Sequence, residues 1–336
     1  MSKLYLPEGW INLAYIEQLP ATLIFIYGGR GIGKTYAIAD GIRTRWRGHA
    51  FLMRRTMTEW RTATADEFNT FSRYNKDLNR ELRFKRLQGA AEILDGEEYI
   101  GLSAPMSTFS NLRGAGFDAY EQINVMYYDE FIPERHKAKI RDEADVFLNV
   151  YESINRNREL FGEPPLKCIC TANSNQLENA LFMGLDLVNV SERMKRKGQE
   201  LSILEDRGIA LVDCRYSPIS KRKAETALYR ATQGTEFYHM AIENTFNDPL
   251  FPSCSRPLVE YKPVVNVGDI CIYKHKSNGR FYVSGTHQKA PAFQANEQQL
   301  AIMRTRYDYL YDIYYAMRFD FESNKAQLLF LKYFNI

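Results

Sequence analysis

Gly28-Gly-Arg-Gly-Ile-Gly33-Lys34-Thr35 constrains this chain more than any other stretch of its sequence. It fits G-x-x-x-x-G-K-[ST] in full. It lies between a compact apolar run rich in strand formers, Thr22-Leu-Ile-Phe-Ile-Tyr27, and a helical pattern from Thr35 to about Arg45. Strand, glycine loop and helix are the context the pattern requires, which disfavours a glycine-rich turn that binds nothing. The glycines let the backbone wrap tightly, so that successive N–H groups and the helix N-terminus point at phosphate oxygens. The motif predicts a site for ATP and Mg2+, with Gly28, Gly29, Arg30, Gly31, Ile32, Gly33, Lys34 and Thr35 around the phosphates. Lys34 is expected to reach the β- and γ-phosphates and the Thr35 hydroxyl to ligate the metal.

The rest of the first half reads as an α/β pattern. Ala50-Phe-Leu-Met-Arg54 is a second buried strand ended by Arg54 and Arg55, which completes a βαβ unit. Residues 58 to 88 are charged with scattered Phe, Tyr and Leu, and predict exposed helices. A hairpin is expected near Ile93 to Leu102, turning at Asp95-Gly96. Asn124-Val-Met-Tyr-Tyr128 is a third buried strand. A charged helical stretch runs from about Glu134 to Arg158, and Pro164-Pro165 breaks the chain before a fourth strand, Leu166-Lys-Cys-Ile-Cys-Thr171. Strands separated by helices predict a mostly parallel sheet with both faces covered.

A chain of 336 residues, 45% apolar and 25% charged, suggests two globular domains. The texture changes near residue 200, where Lys195-Arg-Lys197 and Lys221-Arg-Lys223 bracket a short strand-like segment, Ile209 to Cys214. The expected division is an ATPase domain over residues 1–200, a linker over 201–230 and a C-terminal domain over 231–336. In the last, a hairpin of Asp269-Ile-Cys-Ile-Tyr273 and Arg280-Phe-Tyr-Val-Ser284 precedes a helical pattern over 296–333, so a smaller α+β domain is expected.

No apolar stretch approaches the roughly 18 residues a membrane-spanning helix needs. The first residues lack an apolar signal core, so a cytoplasmic location is expected. Five cysteines without paired C-x-x-C units argue against a disulfide framework or a zinc site. A net charge of +3 is too small to announce a nucleic-acid binder by itself.

Val125-Met-Tyr-Tyr-Asp129-Glu130 supplies the second half of the chemistry, a bulky apolar run ending in two acids as a Walker B strand does. Asp129 is expected to hold the metal and Glu130 to orient or deprotonate the attacking water. The strand ending at Thr171-Ala172-Asn173 precedes Ser174 and Asn175, polar groups suited to a γ-phosphate or its water, and Asn173 is the favoured sensor. In Asn155-Arg156-Asn157-Arg158, Arg156 is the favoured arginine to reach a neighbouring subunit's γ-phosphate in a ring. Arg30, Arg54 and Arg55 are weaker candidates for nucleotide or coupling contacts.

The phosphate loop with Arg30, the arginines closing the next strand, Asn111-Leu-Arg113-Gly114-Ala-Gly-Phe-Asp118 and Asp129-Glu130-Phe131 together resemble the phage DNA-packaging ATPases. Within that group Gly31-Ile-Gly-Lys-Thr35, Tyr128-Asp-Glu-Phe-Ile132, Asn157-Arg-Glu159 and Cys168-Ile-Cys170 are most similar to the motor subunit of small, protein-primed, short-tailed double-stranded DNA phages, an ATPase related to phage large terminases. The similarity covers roughly residues 20 to 180 and is thin beyond, where Gly234-Thr-Glu-Phe237 and the hairpin are the anchors. It implies a P-loop NTPase of the additional-strand (ASCE) type, with the sensor strand between the Walker A and Walker B strands. It also implies a pentameric ring docked on the portal of a procapsid, acting on double-stranded DNA, with a structural packaging RNA as a further potential partner. The C-terminal domain is implied to be related to ribonuclease H-like nucleases. The opening strand expected there offers only Glu260 near its start and Asp269 after it, so a vestigial nuclease used for docking or nucleic-acid contact is expected.

The function expected from this reading is an ATP-driven translocase of double-stranded DNA. The alternatives are a large terminase with an active nuclease, and a nucleotide switch or kinase that moves no DNA. Glu130 beside Asp129 favours hydrolysis over switching.

Overall fold

The computed structural model describes residues 3–112, 123–133, 140–173, 179–215, 217–235, 238 and 253–336. The expected stretch Arg113–Asp118, the start of the charged stretch at Glu134, Ser174 and Asn175 lie outside the described residues, as do Glu236 and Phe237 of the thin C-terminal anchor. The chain divides into two compact units, one of residues 1–185 and 193–246, the other of residues 186–192 and 247–336.

Among the described residues the first unit is built on nine strands: β1 (Leu23–Tyr27), β2 (Ala50–Arg54), β3 (Leu82–Arg86), β4 (Ala91–Asp95), β5 (Glu98–Pro105), β6 (Val125–Asp129), β7 (Lys167–Thr171), β8 (Leu201–Leu204) and β9 (Ile209–Asp213). Their order is β3-β4-β5-β2-β6-β7-β1-β9-β8. The six central strands from β5 to β9 all run parallel, and β3, β4 and β8 are antiparallel additions at the edges. β7 lies between β1 and β6, so the polar end of β7 stands beside the end of each.

Burial explains why the central strands are continuous apolar runs. Along β1, Ile24 and Ile26 pack with Ile38 and Ile42 of the segment after the glycine loop. Phe25 and Tyr27 face the other way and meet Phe182 edge-on at 5.7 and 5.2 Å. A parallel strand covered on both faces has no polar alternation to show.

The segment expected to be a linker, 201–230, is corrected by β8 and β9. β9 pairs with β1 along its whole length, Leu23 opposite Ile209 through Tyr27 opposite Asp213, and is buried throughout. It is therefore a central strand of the first unit. The exposed helices expected over 58–88 are found at Met57–Ala63 and Ser72–Leu78, but β3 ends that stretch as an edge strand. The hairpin expected after it is β4–β5, with Asp95 opposite Glu98.

The second unit carries a five-stranded sheet of β10 (Tyr261–Val267), β11 (Ile270–His275), β12 (Phe281–Ser284), β13 (Ala292–Phe293) and β14 (Phe319–Phe321), in the order β13-β10-β11-β12-β14. β10, β11 and β12 form an antiparallel meander, while β13 runs parallel to β10 and β14 parallel to β12. The helices Glu297–Arg306, Tyr309–Tyr315 and Asn324–Phe334 occupy most of the stretch expected to be helical, and β14 interrupts it. Phe330 anchors this core, 4.7 Å from Phe319 and 4.4 Å from Phe334. β10 itself carries no carboxylate; Glu260 precedes it, and Asp269 falls in the turn to β11.

In the first unit one buried ion pair ties a helix to the sheet. Arg55, at the end of β2 and 1% exposed, grips Glu143 through two bonds of 2.6 and 2.9 Å. Glu143 opens the helix Glu143–Asn155, where the helix dipole favours its charge. Arg55, named from sequence as a weaker candidate for nucleotide or coupling contacts, is engaged here in packing this helix onto the sheet. Arg55→Met is expected to cost about 3–5 kcal/mol, because Glu143 stays buried without a counter-charge, whereas Arg55→Met with Glu143→Leu recovers most of that. Denaturation midpoints check this, and a single variant as stable as the double one would show that the pair does not anchor the helix.

Candidate nucleotide-binding site

The glycine loop leaves the C-terminal end of β1 and enters the helix Lys34–Asp40. Gly33, at the N-cap of that helix, has a φ of +87°, which a residue with a side chain adopts only under strain. At Gly29 space is the limit as well, since a Cβ would lie 2.7 Å from the Cys214 carbonyl oxygen. The loop needs its glycines for shape, and that shape turns carbonyls inward. Lys34 is 6% exposed, and its Nζ donates to the carbonyls of Gly28 and Gly29, both at 2.8 Å. Burial pushes the Lys34 ammonium down to about 8, against the opposing pull of Cys214 and Asp129.

β6 delivers Asp129 to the same place. The carboxylate is 2% exposed and fully engaged. Thr35 Oγ1 donates to its Oδ2 at 3.0 Å, Thr171 Oγ1 donates to its Oδ1, and Arg54 Nη2 lies 3.0 Å from Oδ2. Thr171 is there because β6 and β7 are in register with Asp129 opposite Thr171. Arg54 is there because β2 borders β6 on its other side, Met53 opposite Tyr128, so the next residue of each strand meets the other. The Thr35 hydroxyl and the Asp129 carboxylate are hard oxygen donors side by side, the set that Mg2+ takes.

Glu130 follows Asp129 with a φ of +62° and keeps 46% of its side chain exposed. Its Oε2 lies 3.0 Å from Arg54 Nη1. Arg54 therefore bridges both acids, and Thr70 accepts a further bond from it at 3.0 Å. This bridging role was missed from sequence. The signal was the position of Arg54 as the last residue of a buried strand, but using it required knowing that β2 and β6 are neighbours.

Among the expected site residues, Lys34, Thr35, Asp129 and Glu130 come together. Asn173 is exposed, two residues beyond Thr171, and it is Thr171 that contacts the acid. Arg156 caps the far end of the helix Glu143–Asn155, exposed and with a φ of +48°. A helix of 13 residues puts that end roughly 20 Å from the Glu143 end. Arg158, two residues further on, is 5% exposed and donates to the Ile123 carbonyl at 2.7 Å and to Asn124 Oδ1 at 3.2 Å. Desolvation lowers its pKa, and its guanidinium is committed to its own subunit.

Two further groups border the loop. Ile11 N–H donates to the Ile32 carbonyl at 3.0 Å, which brings Trp10, 43% exposed, beside Gly33. Lys223 donates from its Nζ to the Arg30 carbonyl.

Comparison with known proteins gives this geometry a family. The profile of the Podovirus DNA encapsidation protein (Gp16) matches residues 12–289. The DNA packaging protein of Bacillus phage phi29 is 26% identical over 228 residues, 67% of this chain and 62% of that protein. The chain thus matches less than two thirds of the length of that relative. The DNA packaging protein of Bacillus phage B103 is 25% identical over 295 residues, 85% of this chain and 78% of that protein. Among solved structures, the bacteriophage Phi-29 viral genome packaging motor assembly aligns with a TM-score of 0.65 at 19% identity, covering 99% of this chain and 100% of that one. The Phi-28 gp11 DNA packaging motor aligns with a TM-score of 0.63 at 17% identity over 98% and 99% of the two chains. These likenesses establish a shared fold, and the match over residues 12–289 establishes that the chain belongs to the Podovirus DNA encapsidation protein (Gp16) family.

Proposed function

We propose that this chain is the ATPase subunit of a motor that drives double-stranded viral DNA into a procapsid. The observation that carries the reading is the meeting of Lys34, Thr35, Asp129 and Glu130 at the C-terminal edge of one parallel sheet, in a member of a DNA encapsidation family. The strand order β6-β7-β1 supports assigning the first unit to the additional-strand class of P-loop NTPases.

In this reading the phosphate chain takes over the cradle that Lys34 now closes. Lys34 leaves the Gly28 and Gly29 carbonyls for phosphate oxygens, which are stronger acceptors because they are charged. Thr35 and Asp129 would hold Mg2+, which when bound would supply charge neutralisation for the transferring phosphoryl group. Glu130 orients or deprotonates the attacking water. It can do so only after Arg54 gives up its contact, since a carboxylate paired with a guanidinium is a poor base. Asn173, past the end of β7, is assigned to the outer phosphate or its water. Arg156 serves the site of the next subunit, which fits an arginine that is exposed at the end of its helix away from Glu143. The subunits then act as a ring, assigned as a pentamer on the portal, with a structural RNA as a further partner. DNA is gripped through its phosphates, so affinity falls with salt and not with sequence.

The second unit is assigned to docking or nucleic-acid contact as a vestigial nuclease-like domain. The absence of a carboxylate on β10 speaks against a terminase-type nuclease, and Glu130 speaks against a simple nucleotide switch.

DNA-stimulated ATP hydrolysis tests the reading. Wild-type protein is expected to turn over ATP faster with double-stranded DNA. Glu130→Gln should bind ATP and lose about 10² to 10⁴ in rate, and Lys34→Ala should lose turnover with its fold intact. Normal turnover by either variant would place the active site elsewhere.

Arg156 has its own test. Arg156→Ala and Glu130→Gln subunits, each inactive, should regain activity when co-assembled, because some interfaces then pair an intact Arg156 with an intact Glu130. About 10³ in rate can rest on such an arginine, so recovery should exceed the summed background clearly. Confirmed mixed assemblies without recovery would exclude Arg156 from that role.

A further inference from the structure

Lys223 sits near the end of the helix Pro218–Ala224, far from the glycine loop in sequence and beside it in space. Its ammonium rests on the outer side of the loop. Nζ donates to the Arg30 carbonyl, and a Cβ placed on Gly31 would lie 3.2 Å from it. On its other side Nζ lies 5.1 Å from the centre of the Tyr229 ring, a cation–π contact that helps to hold it there. Lys34 meanwhile occupies the inner side, on the carbonyls of Gly28 and Gly29.

Two ammonium groups thus converge on consecutive carbonyls of one loop. Like charges so placed oppose each other, and Lys223 is among the groups that hold the Lys34 ammonium below its ordinary value. Neutral carbonyls compensate two cations only weakly, whereas a polyphosphate compensates both. The two lysines differ in reach. Lys34 enters from the start of the helix beneath the loop, while Lys223 waits at the apex formed by Arg30 and Gly31, on the side open to water.

We infer that Lys223 is a second phosphate contact of this site, engaging the outermost phosphate of a nucleoside triphosphate from the segment that follows β9. The inference rests on the reading of the loop as an ATP site. It gives the motor a physical link between nucleotide state and the helices Pro218–Ala224 and Ala227–Ala231, since Lys223 pulls on the first and leans on Tyr229 of the second. When the outer phosphate leaves, Lys223 returns to the Arg30 carbonyl.

The test is the affinity for Mg-ATP and Mg-ADP, measured by competition with a fluorescent nucleotide, for wild type, Lys223→Ala, Lys223→Arg and Lys34→Ala. Lys223→Ala should weaken ATP roughly tenfold, the effect of one charge-assisted hydrogen bond, and leave ADP near wild type. Lys223→Arg should keep most of the preference for ATP, because it keeps the charge. A lysine that only staples the loop would move ATP and ADP together. An equal loss for both nucleotides, or no loss, would overturn the inference while Lys34→Ala still abolishes binding. Wild-type protein that binds neither nucleotide, or Lys34→Ala that binds both normally, would overturn the ATP-site reading and this inference with it.

Discussion

Asp129 is a carboxylate with almost no water around it, and four separate elements meet on it. Its own strand β6 carries it, β2 brings Arg54, β7 brings Thr171 and the helix after the glycine loop brings Thr35. A buried charge costs several kcal/mol unless it is paired and hydrogen-bonded. Here every partner sits at the C-terminal end of a parallel strand or at the start of the following helix. The strand order is therefore a condition of the site: exchange β7 or β2 for another strand and Asp129 would be buried without its donors. The same edge carries the loop, so a demand made by one carboxylate and the placement of the phosphate cradle are satisfied together.

The resting geometry has a consistent electrostatic meaning. With only protein around them, the cations of the site are held by what the protein can offer. Lys34 takes two carbonyls, Lys223 takes a third, and Arg54 takes both acids. Each of these contacts is weaker than, or competes with, one that nucleotide and metal would make. In the proposed reading a phosphate chain and a divalent cation would resolve this opposed charge, and the elements carrying those cations are the ones expected to move.

Much of this was legible in the sequence, for physical reasons that differ by element. β1, β2, β6, β7 and β9 stand out as apolar runs because both of their faces are covered. β3 does not, since an edge strand such as Leu82-Arg-Phe-Lys-Arg86 is open to solvent and its charges read as a helix surface. β9 was visible as a strand but not as a central one, because pairing with β1 joins residues far apart in the chain. The acids and the loop lysine carry fixed signatures, so their meeting was expected. Arg54 and Lys223 carry none: an arginine ending a strand and a lysine in a basic cluster gain their roles only from neighbours that topology supplies. Arg156 and Arg158 lie in one short motif, and the backbone alone separates them. The left-handed turn at Arg156 leaves it outside while Arg158 folds back onto Ile123 and Asn124, just ahead of β6.

The central claim is that the cradle closed by Lys34 is the ATP site and that Asp129 is its metal acid. The most direct measurement is a structure of the protein with Mg2+ and a non-hydrolysable ATP analogue. The account expects the phosphates along the N–H groups of Gly29 to Thr35 and Lys34 Nζ moved from the Gly28 and Gly29 carbonyls onto phosphate oxygens. It also expects the metal between Thr35 and Asp129, with Arg54 withdrawn from at least one acid. A nucleotide bound elsewhere, or bound here with Lys34 still on the loop carbonyls and no cation at Asp129, would contradict it.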